Sequence, residues 1–118
     1  MCVHLSVHLW FCGGLGATLQ FEWDEDKRRE VISRRGIDLL EAALIFEGVT
    51  LTKVDNRADY GEVRLISLGM VEGEPYVVVH TEREGVTRLI TAWKGGRHDR
   101  EDYEAGIARR NPPDEGRR

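Results

Sequence analysis

Five side chains in the second half of the chain have the types that phosphate chemistry uses: Glu62, Arg64, His80, Arg88 and Lys94. Chemistry on a phosphate ester needs groups that move protons and fixed positive charge that holds the anion. A guanidinium suits the phosphate because its planar fork grips two oxygens at once, which casts Arg64 and Arg88, with Lys94, as the cations. His80 can be acid or base, its ordinary pKa lying nearest neutrality. Glu62 is the other candidate base. A plainer reading competes: Arg64 and Arg88 pair with Glu62 and Glu82 as cross-strand salt bridges, and His80 merely fills the strand surface.

These residues must be positioned by strands. GEVRLISLGM, EPYVVVHTE and VTRLITAWK are rich in β-branched and aromatic residues, and Gly-bearing turns at Val71–Gly73 and Arg83–Gly85 separate them. Turns of about three residues set a register by counting back from each loop. His80 then stands between Arg64 and Arg88 in one row, with Lys94 farther along the same face. By alternation Trp93 falls on the opposite face. Three basic or titratable side chains in a row repel one another unless an anion lies among them.

Upstream, Phe21–Trp23 reads as a short strand and Asp24 as the N-cap of a charged helix, Glu25–Arg35, which Gly36 ends. The run Asp24–Glu30 is a solvated helix face on this reading, and Trp23 is a core anchor. Asp38 caps a second helix, Leu39–Phe46, which Gly48 terminates, and Thr50–Val54 is a further strand. Gly95 and Gly96 break the sheet, and Arg97–Ala108 is a short helix with Tyr103 and Ile107 on one face. His98 on this helix is a solvated residue. The order β-α-α-β-β-β-β-α describes an α+β domain. Two N-terminal helices pack on a mostly antiparallel sheet of about four strands, and a short helix closes the chain.

The chain has 118 residues and a formal net charge of −4. That length fits one domain, and the acidic balance does not advertise nucleic-acid binding. Acidic residues dominate up to Glu82 and basic ones after it, so a local basic patch is compatible with the total. Residues 1–20 carry no charge. They lack the positive n-region of a secretory signal, and polar and glycine residues interrupt any membrane span. Cys2, His4, His8 and Cys12 match no standard metal motif, and the segment reads as an appended leader outside the fold. The folded domain is then 21–108 and the proline-containing 109–118 a disordered tail. Neither a disulfide framework nor a zinc motif organises the fold, and a reducing cytoplasm is the default compartment.

Taken together, several stretches resemble the BrnT family of bacterial type II toxins. They are FEWDEDK at 21–27, RRGIDLLEAALIFEG at 34–48, GEVRLISLG at 61–69, VVVHTER at 77–83, RLITAWK at 88–94 and the R-x-x-Y of Arg100–Tyr103. The pattern departs at Arg35, where a His usually precedes the glycine, and at Trp93, where an Arg usually precedes the lysine. Thr91 and Gly95 replace a common Ser and Ala.

The resemblance implies a RelE/ParE-like fold and an endoribonuclease that cuts RNA and inhibits translation without a metal or other cofactor. It implies neutralisation by a BrnA-like antitoxin, contact with promoter DNA only through that antitoxin, and no membrane partner. Glu62, Arg64, His80, Arg88 and Lys94 would be catalytic, and Arg97, Arg100 and Tyr103 would bind substrate. The alternative is a degenerate, non-catalytic module that keeps the partner but not the cleavage, as the change at Trp93 allows.

Overall fold

The computed structural model describes residues 2–10, 16–57 and 61–110, with side chains described between 20 and 109. Six strands form one mixed sheet: β1 (Cys2–Trp10), β2 (Gly16–Asp24), β3 (Leu51–Val54), β4 (Leu65–Val71), β5 (Glu74–Arg83) and β6 (Val86–Lys94). Their spatial order is β1-β2-β6-β5-β4-β3. All neighbours are antiparallel except β2 and β6, whose parallel pairing follows from the long excursion between them. The helices are α1 (Glu25–Arg35), α2 (Leu39–Ala42) continuing as a 3-10 segment Ala43–Glu47, and α3 (Arg97–Arg110).

Local chemistry explains the helix ends. The Asp24 carboxylate accepts from the Asp26 N–H at 2.9 Å, and the Asp38 carboxylate does the same for Leu40. Gly36 takes the left-handed φ of 72° that closes α1, its N–H donating to the Ile32 carbonyl. The second helix tightens into 3-10 turns after Ala42 instead of running as one α-helix to Phe46. Arg28 ties α1 to α2, its Nε and Nη2 gripping the two oxygens of Asp38 at 2.9 and 2.7 Å. That guanidinium holds the Asp38 carboxyl below its ordinary range.

One face of the sheet carries the main core. Phe21, Trp23, Tyr76, Val78, Leu89 and Ala92 pack against Val31, Ile37, Leu39, Ala42, Ala43 and Ile45. Alternation sends Val77, Val79 and Thr81 to the other face, where they are also buried. There α3 lies over part of the sheet, leaving a hollow of about 420 Å³ bounded by Leu51, Leu68, Val77, Trp93, Asp99 and Asp102.

The N-terminal segment departs from the expectation that residues 1–20 stand outside the fold. Cys2–Trp10 pairs antiparallel with Gly16–Asp24 along its length, from Cys2 opposite Asp24 to Trp10 opposite Gly16, and forms the sheet edge. The absence of charge suggested a leader, yet Val3, Leu5, Val7 and Leu9 alternate with His4, Ser6 and His8. That is strand periodicity. At the other end, residues 109 and 110 continue α3, and the rest of the expected tail lies outside the described residues.

The expected row Arg64–His80–Arg88 is not formed. Both turns are two residues long, Glu72-Gly73 and Glu84-Gly85, and all four residues have positive φ (50°, 81°, 53° and 82°). That is the geometry whose twist matches a tight hairpin. Shortening each turn by one residue moves the partners by one, so His80 stands opposite Leu65 and Leu89, and Thr81 opposite Arg88. A one-residue shift also exchanges the faces.

A bulge between Val79 and His80 in the β5–β6 ladder makes the second correction. It leaves Val79 opposite Thr91 while His80 stays opposite Leu89. Beyond the bulge the parity of β6 reverses. Lys94, opposite Tyr76, therefore lies on the main-core face, and Trp93, opposite Val77, shares a face with Arg88.

Candidate nucleic-acid interface

Arg88 projects from β6 between Glu22 on β2 and Thr81 on β5, on the sheet face away from the main core. Its Nη1 is 3.6 Å from a Glu22 carboxylate oxygen. Arg64, just before β4, has its Nε 3.7 Å from Glu62, whose other oxygen is 3.4 Å from Nη2 of Arg83. Glu62, Arg64 and Arg88 converge on one cleft of about 320 Å³, completed by Asp24, Lys27, Leu89 and Ile90. Asp24 is held below its ordinary carboxyl pKa of 3.8, chiefly by the Asp26 backbone N–H, with a smaller contribution from Arg88.

The cleft thus gathers three cations and two carboxylates, open to solvent at one end of the sheet. A guanidinium already close to a carboxylate keeps its orientation and can exchange that partner for a phosphate. Lys27 and Asp24 were read in the sequence as part of a solvated helix face. They reach the cleft because β2 ends beside Leu89 and α1 begins there.

The remaining expected site residues lie elsewhere. His80 is 2% exposed and faces the main core. Its Nε2 is 2.7 Å from the Ser67 hydroxyl, which is in turn 2.7 Å from Thr52 Oγ1. Phe46 stands edge-on to the ring with centroids 5.1 Å apart. Nδ1 lies 2.8 Å from a Glu82 oxygen, close but poorly aligned for a hydrogen bond. Burial pushes the imidazole below its ordinary 6.5 against the opposing pull of Glu82, so the ring is neutral at pH 7. Ser67, His80 and Glu82 follow the order of a hydrolytic triad, but Ser67 is fully buried, which denies it a substrate.

Lys94 sits at the far end of β6, with Nζ 3.4 Å from Glu74. The strand between it and Arg88 covers about 20 Å, at roughly 3.3 Å per residue. Arg97 pairs with Glu101 on exposed α3, which also carries Arg100. Tyr103 donates its hydroxyl to the Val49 carbonyl at 2.8 Å, docking α3 to the loop before β3. His98 reaches toward Asp102 on the same helix. The sheet face opposite the core, not α3, carries the convergent charge.

The reading of the residues also missed Arg57 and the role of Trp93. Arg57 follows β3, and its guanidinium carbon is 5.7 Å from the Trp93 ring centre; that of Arg35 is 5.4 Å from the same ring. Two of the four positions that depart from the family pattern, 35 and 93, therefore touch. Nothing in their sequence separation signals this contact.

Among the described residues no group of three or more His, Cys, Asp or Glu side chains is placed to hold a metal ion, and no helix is long and apolar enough to cross a membrane. The side chains of Cys2, His4, His8 and Cys12 lie outside the described ones.

Fold and cleft together define a small α+β domain with cations gathered at one end of a mixed sheet, a form suited to a polyanion. A family model for the BrnT ribonuclease toxin of type II toxin–antitoxin systems matches residues 23–99. The chain belongs to that family, and membership implies an antitoxin partner. No curated protein matches the chain.

Proposed function

We propose that this toxin is a metal-independent endoribonuclease whose cleavage of RNA arrests translation in the cytoplasm, with Glu62, Arg64 and Arg88 as its active centre. The observation that carries the reading is the convergence of these three side chains on one solvent-open cleft. Glu62 takes the proton from a ribose 2′-hydroxyl. The 2′-oxygen attacks the adjacent phosphorus, and the bond from phosphorus to the 5′-oxygen breaks to leave a 2′,3′-cyclic phosphate. Arg64 and Arg88 hold the phosphate and neutralise the added charge of the phosphorane. Solvent supplies the proton to the departing 5′-oxygen. Side-chain cations fill the electrostatic role, so the step needs no metal.

A BrnA-like antitoxin would neutralise the toxin by covering the Arg64–Arg88 face, and promoter DNA would be reached only through the antitoxin. The acidic balance of the chain suits a basic segment in that partner.

A second reading keeps the binding surface and drops the cleavage. It is favoured by the burial of His80, which leaves Glu62 as the only expected acid–base group at the cleft. Induced expression of the full chain beside an Arg64→Ala/Arg88→Ala copy separates the two. Growth arrest with RNA degraded by the wild type alone supports the ribonuclease. A soluble wild type that forms an antitoxin complex but leaves RNA intact supports the binding module.

A further inference from the structure

Next to the cleft, Arg35 is held in place by neutral groups, with no carboxylate within 4.0 Å among the described residues. Arg35, the last residue of α1, reaches over the edge of β6 where β2 has ended. Its Nη1 donates to the Ala92 carbonyl at 2.8 Å and approaches Thr91 Oγ1 at 3.2 Å. The face of Trp93 lies against the same guanidinium. These acceptors are neutral. By contrast, Lys27, Arg34, Arg64 and Arg88 each lie within 4.0 Å of a carboxylate, at 3.2, 3.6, 3.7 and 3.6 Å. Arg57, on the other side of Trp93, is gripped by both oxygens of Asp55 at 2.8 Å.

Among the described residues, the Nε and Nη2 donors of Arg35 have no partner. They form the guanidinium edge that binds two phosphate oxygens at once. The anchoring through Nη1 and Trp93 restricts the side chain beforehand, so less freedom is lost when an anion arrives.

Position supports the same use. A small hollow of about 30 Å³ between α1 and β6 is bounded by Lys27, Glu30, Val31, Arg34, Arg35 and Thr91, and the Glu30 carboxylate in it is already paired with Lys27 and Arg34. It shares Lys27 with the catalytic cleft, and its Thr91 follows Ile90 of that cleft. The β6 bulge turns Trp93 onto the face of Arg88. Along the strand, Arg88 and Trp93 are separated by roughly 16 Å, enough for more than one nucleotide of extended chain.

We propose that Arg35, braced by Trp93, is a positioning residue that binds a phosphate of single-stranded RNA neighbouring the scissile one. This rests on the ribonuclease reading of the adjoining cleft and assigns that substrate a path along the β6 edge. Single strands suit the path because their backbone can follow a groove of cations beside an aromatic ring.

The test is binding of a short, labelled 2′-O-methyl oligoribonucleotide, which cannot be cleaved through the 2′-oxygen, measured by anisotropy over a series of salt concentrations. Arg35→Ala should raise Kd about ten-fold and lower the slope of log affinity against log salt by about 0.7, the signature of one lost phosphate contact. Arg35→Lys should keep the slope while binding more weakly than the wild type. Trp93→Ala should reproduce the Arg35→Ala loss, and the double variant should add little to it. Circular dichroism checks that each variant is folded.

An unchanged Kd and salt slope in folded Arg35→Ala would overturn the proposal, as would a wild type that does not bind the oligonucleotide. Loss of antitoxin capture with oligonucleotide binding intact would also overturn it and assign the surface to a protein partner. A wild type that binds the analogue through Arg35 yet leaves unmodified RNA uncut refutes the ribonuclease reading and keeps the phosphate subsite.

Discussion

The Nε2 of His80 lies 2.7 Å from the hydroxyl of Ser67, beneath the helices and on the opposite side of the sheet from Arg88. The histidine is therefore part of a buried polar chain, Thr52–Ser67–His80, that links three neighbouring strands. Such a group holds the fold in one arrangement when satisfied and costs stability when broken.

His80→Ala should accordingly lower stability by about 2–4 kcal/mol, through a cavity against Phe46 and a lost partner for Ser67. RNA cleavage per folded molecule should stay near the wild-type level. Urea unfolding and a cleavage assay at matched folded concentration check both halves. A large loss of turnover in fully folded His80→Ala would return the residue to the mechanism.

Stability should also depend on pH through the same side chain. Burial depresses the folded-state pKa of His80 below the ordinary 6.5, so the unfolded chain binds the proton more tightly. The contribution of the neutral ring is present above about pH 6.5, the ordinary histidine pKa, and is lost as pH falls through the folded-state value. Melting temperature measured downward from pH 7 should fall for the wild type and fall less for His80→Gln. Parallel curves for the two proteins would exclude His80 as the source.

At the cleft, Arg88→Ala and Arg64→Ala should each reduce kcat/KM on RNA by about 10²–10³, the range for losing one donor to a developing oxyanion. Lys94→Ala should leave it within about two-fold, because a cation about 20 Å along β6 and on the other face cannot reach the same phosphate. Equal losses from Lys94→Ala and Arg88→Ala would show that the substrate wraps the sheet differently.

Glu62→Gln preserves size and removes the proton acceptor. It should cut kcat by about 10²–10⁴ with little change in oligonucleotide affinity. If kcat survives, another base is at work. Asp24, which lines the same cleft, is the next residue to replace.

Gly69 offers a purely structural check on the β4 placement. A Cβ added there would come within 2.6 Å of Ile45 Cβ, in the packed layer between the 3-10 segment and the sheet. Gly69→Ala should therefore destabilise by about 1–3 kcal/mol as an overpacked core. A neutral effect in urea unfolding would mean that this layer yields to an added methyl group.

Much of the scaffold was legible in order. Local rules located α1 from Asp24 and Gly36, the start of α2 from Asp38, and the three strands from their β-branched runs. Each is an interaction between near neighbours in the chain, so composition and spacing express it. The family resemblance was legible in the same way, because its pieces occur in sequence order. The N-terminal hairpin was not recognised because a strand without charges resembles a leader when composition is weighed before alternation.

What the sequence by itself determined is therefore the set of elements, their caps and the chemical inventory of Glu62, Arg64, Arg88 and their neighbours. Which of these meet was decided by the tertiary structure. Two turns one residue shorter than expected moved His80 from the cationic row into the core. A single bulge sent Lys94 to the core face and brought Trp93 to the face of Arg88, where Arg35 and Arg57 flank it. A strand has a side-chain period of two, so one residue of slip exchanges its faces. Packing the apolar set against the helices selects between the two faces, and that selection depends on the whole sheet at once.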